Sequence, residues 1–293
     1  MTSLGVVFRP QVPPERLIAA ARAADEAGLD ELWLWEDCFW ESGIAPAAAA
    51  LASTTRIKVG IGLLPVPFRN AVITAMEFAT LERMFPGRFL PGVGHGVQEW
   101  MEQVGARASS PLTLLREHLD AMRALLRGEE VSTDGRYVKL DRVKLDWPPA
   151  NVPKILAGAV GPKTLKLAGE SADGTILDGQ NSPDRVRWAK TQIDEGRAAA
   201  GRTDPHHVVV FTHAATGPGG AERVRREQVA FGNDPDLGVS GGPDDFAALA
   251  AQYIDAGADS LVFTPTADEP EVESFIRFVA GEVKPLISRT SVR

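Results

Sequence analysis

Carboxylates, a thiol and one imidazole stand in this sequence where short apolar runs give way to irregular turns. The first such place is Glu36-Asp37-Cys38-Phe39-Trp40. Asp37 suits a polar contact to the edge of a bound ring, the local alternative being a cap on the following helix. Cys38 is a candidate nucleophile, but thiolate catalysis needs a neighbouring base and a lowered pKa. The sequence supplies neither, so a packed or pocket-lining thiol is the better reading.

The second place is Gly92-Val93-Gly94-His95-Gly96, whose glycine spacing permits close backbone approach. It does not complete a dinucleotide fingerprint, because the third glycine would fall at Val97. Of the five histidines, His95 is the one placed to meet a substrate, with a structural loop histidine as its alternative. His206 and His207 begin an apolar run and His213 ends it, which leaves His213 as a weaker pocket candidate. Gly60 to Asn70, with two glycines, two prolines and apolar neighbours, suggests irregular backbone able to approach a flat ligand. Finally, Ala157 to Leu165 holds Gly158 and Gly161, then Pro162, Lys163 and Thr164. Proline suits the first helical position, and the helix start with Lys163 and Thr164 suits a phosphate, an ordinary helix start being the alternative. One cysteine and no His-Glu-x-x-His or His-x-His pair argue against a catalytic metal.

These residues follow strand-like runs. Short apolar stretches recur at Leu4 to Phe8, Glu31 to Trp35, Ile57 to Ile61, Arg88 to Val93, Lys154 to Ala157, Thr175 to Asp178, Val208 to Thr212 and Ser260 to Thr264. Helical patterns lie between them: from Glu15 to Ala27, Leu17, Ala20, Ala21 and Ala24 share a face, and Gly28 suits the stop. Ala27-Gly28-Leu29-Asp30 before Leu32-Trp33-Leu34 and Ala256-Gly257-Ala258-Asp259 before Leu261-Val262-Phe263 repeat one design. Alternation with about eight strands predicts an α/β fold of the closed (β/α)8 TIM-barrel type, one domain over 1–293. Two insertions are predicted. After strand four, 131–150 reads as an insertion carrying a strand pair between Val131 and Leu145; near strand seven, Phe231 to Pro243 reads as a cap on the barrel mouth or a plain surface loop. In such barrels the C-terminal strand ends carry the chemistry, which is where the residues above fall.

The 293 residues carry a net charge of −8, which argues against a nucleic-acid partner. No run approaches a membrane span, and the first residues lack a signal-peptide pattern, so the expected setting is cytoplasmic with no membrane partner.

Several of these segments, in order, resemble the luciferase-like monooxygenase superfamily, particularly its F420-dependent oxidoreductase branch. They are Asp30 to Asp37, Pro65 to Asn70, Pro86-Gly87-Arg88-Phe89 leading to Gly92-Val93-Gly94, and Gly161 to Thr164 followed by Leu167-Ala168-Gly169 and Ala172-Asp173-Gly174. The resemblance implies an enzyme that transfers hydride between coenzyme F420 and a small-molecule substrate, working as a homodimer. Gly62, Leu63 and Pro65 would back the deazaflavin ring, with a cis peptide from Gly62 to Leu63. Asp37 and Gly94-His95-Gly96 would contact the ring edge, and Gly158 to Thr164 would hold the phosphate side. Two departures bear on substrate: Cys38 stands where dehydrogenases of this branch carry histidine, and Val97 where a glutamate often follows the glycine loop, with Glu99 two residues on. His95, Asp37, Cys38 and Glu99 are therefore the candidate catalytic set. An FMN-dependent monooxygenase of the same fold and a non-catalytic flavin-binding barrel are the alternatives.

Overall fold

The computed structural model describes residues 2–290. Eight parallel strands close on themselves: β1 (Ser3–Phe8), β2 (Glu31–Leu34), β3 (Lys58–Pro65), β4 (Phe89–Gly94), β5 (Leu156–Gly158), β6 (Gly174–Leu177), β7 (His207–Ala215) and β8 (Ser260–Pro265). Each pairs with the next, and β8 pairs back onto β1 through Ser3 opposite Ser260 and Val6 opposite Phe263. Helices alternate with the strands, so the expected (β/α)8 barrel is the fold. An antiparallel hairpin, Val131–Asp134 with Lys139–Val143, interrupts the alternation between β4 and β5, where the sequence predicts a strand pair. Near β7, the two-residue strand Val239–Ser240 adds alongside Ala214 and Ala215.

The helices pack their apolar stripes onto the outside of the barrel. Helix Leu17–Ala27 buries Leu17, Ala20, Ala21 and Ala24 and closes at Gly28, whose φ of 79° lies in the left-handed region glycine tolerates best. Burying one leucine of this kind contributes about 1.5–3 kcal/mol, so the stripe outweighs the weak preference of any single position.

Strand alternation stacks the interior in layers. At the N-terminal end Glu31 is buried, accepting hydrogen bonds from Trp33 Nε1 and Ser260 Oγ, both at 2.9 Å. His207 Nε2 lies 2.9 Å from the same Ser260 hydroxyl. Above this polar plug sits an apolar layer of Val7, Trp33, Leu156, Ile176, Val209, Phe211 and Val262. The Trp33 ring lies over its register partner on the adjacent strand, Gly60, where a Cβ would come within 2.4 Å of it, so that position has no room for a side chain. Two residues further along the same strands, period-two alternation turns Arg9, Trp35, Asp178, His213 and Thr264 toward the C-terminal mouth.

Candidate active site

A cavity of about 440 Å³ opens at that mouth. Strands β3, β5, β6 and β7 supply Gly62, Leu63, Gly158, Ile176 and Phe211, and the loops after β2, β4 and β5 supply Trp35, Asp37, His95, Gly96 and Ala159 to Gly161, with Thr164 beyond. The walls are mostly apolar, and a small number of polar groups converge on one volume, the composition of a small-molecule site.

The β3 wall is irregular. Its register to β4 shifts between Ile61 and Leu64, and the Gly62–Leu63 peptide is cis, as the resemblance implied; Cys38–Phe39 is cis as well. Leu63 stands against two glycines, since a Cβ would lie 2.5 Å from its Cδ2 at Gly94 and 2.1 Å from it at Gly158. Gly94 is thus buried behind Leu63 and acts as backing rather than lining.

At the opposite end, helix Pro162–Ser171 begins with Gly161 as N-cap and Pro162 in its first turn, and no side chain caps it. The first-turn amides therefore keep donor capacity for an anion. Thr164 Oγ1 lies 3.1 Å from His95 Nε2, tying the loop after β4 to this helix start. Gln98 Nε2 donates to the His95 carbonyl at 3.2 Å. Burial lowers the His95 pKa, with the Pro111 carbonyl partly offsetting it, so the imidazole is neutral at physiological pH.

The acidic residues divide by partner. Glu36 accepts from Gly43 N and from Arg69 Nη2, both at 2.7 Å, and Arg69 also pairs with Glu77 at 2.8 Å. Asp37 has no such clamp: burial pushes its carboxyl up to about 6, only partly opposed by the Arg9 guanidinium. Arg9 is buried, lies 5.6 Å from the Trp35 ring centre and pairs with Glu227. Asp178 accepts from Gln180 Nε2 at 2.7 Å and Asn181 Nδ2 at 2.9 Å, and burial raises its pKa too. Trp35, which lines the cavity, has its Nε1 buried without a hydrogen-bond partner among the described residues, an unusual state for a buried donor.

The cavity thus gathers Asp37, Gly62, Leu63, Pro65, His95, Gly96, Gly158, Gly161 and Thr164. Besides Gly94, four candidates lie outside this lining. Cys38 lines a neighbouring cavity, and burial together with the Asp37 and Glu36 charges pushes its thiol pKa up, which disfavours a thiolate. Glu99 is exposed in the first turn of helix Gln98–Gln103, where Val97 and Trp100 on either side of it reach the cavity instead. Pro162 and Lys163 are also exposed and absent from the lining.

Sequence reasoning passed over Trp35, Trp100, Asp178 and Phe211 as lining residues. The signal for three of them was present: each stands two residues beyond an interior residue of its strand, as Trp35 follows Trp33. The stretch from Phe231 does reach the mouth, because Phe231 stacks on His213 at 5.5 Å and sits 6.0 Å from the Arg9 guanidinium.

Residues 3–232 match the family model described as luciferase-like monooxygenase. The chain is 34% identical over 213 residues to a 5,10-methylenetetrahydromethanopterin reductase of Methanolobus tindarius, an alignment covering 72% of this chain and 64% of the reductase. It therefore spans just under two thirds of that relative's length. Over 307 residues it is 30% identical to an F420-dependent glucose-6-phosphate dehydrogenase of Nocardia farcinica, covering 86% of this chain and 88% of the relative. Among solved structures, the coenzyme F420-dependent tetrahydromethanopterin reductase of Methanopyrus kandleri superposes with a TM-score of 0.81 at 23% identity, over 97% of this chain and 99% of that one. An F420-dependent secondary alcohol dehydrogenase in complex with an F420-acetone adduct gives a TM-score of 0.86 at 21% identity, over 98% and 99%. With a family match over most of its length and a closed barrel whose cavity opens at the C-terminal strand ends, this chain belongs to the luciferase-like monooxygenase family.

Proposed function

We propose that the chain is an F420-dependent oxidoreductase that moves a hydride between the deazaflavin and a small organic substrate. The observation that carries this reading is the shape of the first cavity. One volume has an apolar, irregular β3 wall at Leu63 and an uncapped helix start at Thr164. A flat ring needs the first and a phosphate the second. The unpartnered Trp35 N–H, on a side chain that lines the same cavity, would suit an acceptor on such a ring. Relatives named as F420-dependent support the same reading.

In this proposal Gly62, Leu63 and Pro65 back the ring, while the amides of Lys163 and Thr164, with the Thr164 hydroxyl, hold the phosphate. The bound deazaflavin supplies hydride chemistry, and the barrel supplies orientation and exclusion of water. Asp37, with its carboxyl near pKa 6, holds or releases a proton at its carboxylate oxygen close to neutral pH, the range in which a general acid or base is effective. Neutral His95 lines the same cavity, with Thr164 3.1 Å from its Nε2 fixing the ring. Trp35 and Phe211, 5.8 Å between centroids, form an apolar floor.

We also propose that the working unit is a homodimer. Helix Ala71–Met84 exposes Ile73, Met76 and Met84 by 45, 49 and 62%, apolar side chains that a second copy would cover, and sedimentation velocity tests this. The functional proposal is tested by following the visible absorbance of F420 with reduced coenzyme and a panel of enones and imines. Catalysed return of the oxidised chromophore supports it; tight binding without turnover in either direction would favour a coenzyme-holding barrel instead.

A further inference from the structure

Beside the first cavity lies a second, of about 480 Å³, with Glu36 and Asp37 lining both. Its aromatic surface comes from Phe39, Trp40 and Phe68, exposed by 66, 60 and 38%. Glu41 lines it too, and both of its carboxylate oxygens are shielded from solvent without a hydrogen-bond partner among the described residues. Buried polar atoms in folded proteins nearly always have partners, so a carboxylate in this state gains strongly from any donor that enters.

The surrounding charge restricts what that donor can be. Arg69 is the cation on the lining, and its guanidinium is already shared between Glu36 and Glu77. Asp37 feels only the Arg9 guanidinium and Glu41 has no cationic partner among the described residues. Burial pushes their carboxyls up to about 6 and about 7, so an entering cation would be favoured by drawing both into the charged form, whereas an anion would gain nothing there. Aromatic faces beside carboxylates favour an organic cation over a neutral hydroxyl, because the ring quadrupole and the carboxylate attract the same positive charge. Among the described residues, no group of three or more His, Cys, Asp or Glu side chains is arranged to hold a metal ion.

We propose that this second cavity binds a compact ammonium or guanidinium group, with Glu41 as its counter-ion and Phe39, Trp40 and Phe68 as its walls. A molecule anchored there by its nitrogen extends past Asp37 toward the first cavity. Resting on the coenzyme reading above, this makes the hydride partner a small amine- or imine-bearing compound.

The test is calorimetric titration of the coenzyme-free protein with benzylammonium and with its neutral counterpart benzyl alcohol. Benzylammonium is expected to bind more tightly by about tenfold or more. Glu41→Gln should abolish that preference while melting temperature and circular dichroism are kept. Glu41→Asp should retain part of it, and Trp40→Leu should weaken both probes. Equal affinity for the two probes, an unchanged preference in Glu41→Gln, or no binding of either would overturn the proposal. So would a Glu41→Gln protein that loses a dimer seen by sedimentation yet binds the amine normally, since Glu41 would then answer to a second copy. A separate F420 titration of the wild type keeps the two ideas apart, because amine binding can persist when coenzyme binding fails.

Discussion

Substituting Gly158→Ala adds one methyl group at the point where β5 meets the β3 wall. That Cβ would lie 2.1 Å from Leu63 Cδ2, with Leu63 Cγ at 3.5 Å and the Val93 carbonyl at 3.9 Å as the next neighbours. The clash is therefore with the end of one side chain, which can rotate away. It cannot rotate toward β4, because Gly94 already accommodates Leu63 so closely that a Cβ there would lie 2.5 Å away. Leu63 must move into the cavity, into the space assigned to the ring. Overpacking of this kind costs about 1–3 kcal/mol, so if the displacement falls on the ligand the F420 dissociation constant should rise about 5- to 150-fold. Fluorescence titration of F420 measures it, with thermal melts to check folding. A double mutant sharpens the test: in a Leu63→Ala background the same methyl meets nothing closer than ordinary contact, so Gly158→Ala should there change affinity by no more than about twofold. Wild-type affinity in Gly158→Ala, or additive losses in the double mutant, would refute the assignment of Leu63 to the ring wall.

Thr164→Val removes a donor at the helix start and the 3.1 Å partner of His95 Nε2. It should raise the F420 dissociation constant about two- to tenfold, whereas exposed Lys163→Ala should change it by less than about threefold. The reverse order in the same titration would return the phosphate to the lysine. Asp37 has a folded pKa raised from 3.8 to about 6, so its neutral form is the one the fold favours; its contribution to stability is present below the lower value and lost as pH rises through the upper one. Asp37→Asn should therefore gain in Tm relative to wild type as pH climbs from about 4 to about 6 and hold that gain above. A Tm difference that does not vary with pH would contradict the buried, raised carboxyl.

The barrel was legible because parallel strands buried on both faces read as continuous apolar runs, such as Val208 to Thr212. Boundaries slipped where backbone is irregular: the run ending at Ile61 continues to Pro65, because the register shift past Ile61 keeps the strand paired to β4 without regular alternation. Pro91, awkward for a strand on sequence grounds, pairs opposite Ile61 next to that same irregularity. The glycine loops do lie at the cavity, where close packing around Leu63 leaves no room for a side chain at Gly94 or Gly158. Charge was less readable. Lys163 and Glu99 look functional by type, yet both are exposed and neither is part of the cavity lining, and spacing from a helix start does not by itself say which way a side chain faces. The clustering of Arg9, Trp35 and Phe231 joins segments over two hundred residues apart, which no local pattern encodes.

The coenzyme assignment is tested most directly by titrating the purified protein with F420 and with FMN and following the absorbance and fluorescence of each. Saturable F420 binding in the micromolar range, clearly tighter than FMN and weakened by Gly158→Ala, is the expected result. Micromolar FMN binding with no detectable F420 binding would contradict the assignment and favour an FMN-dependent monooxygenase on the same barrel.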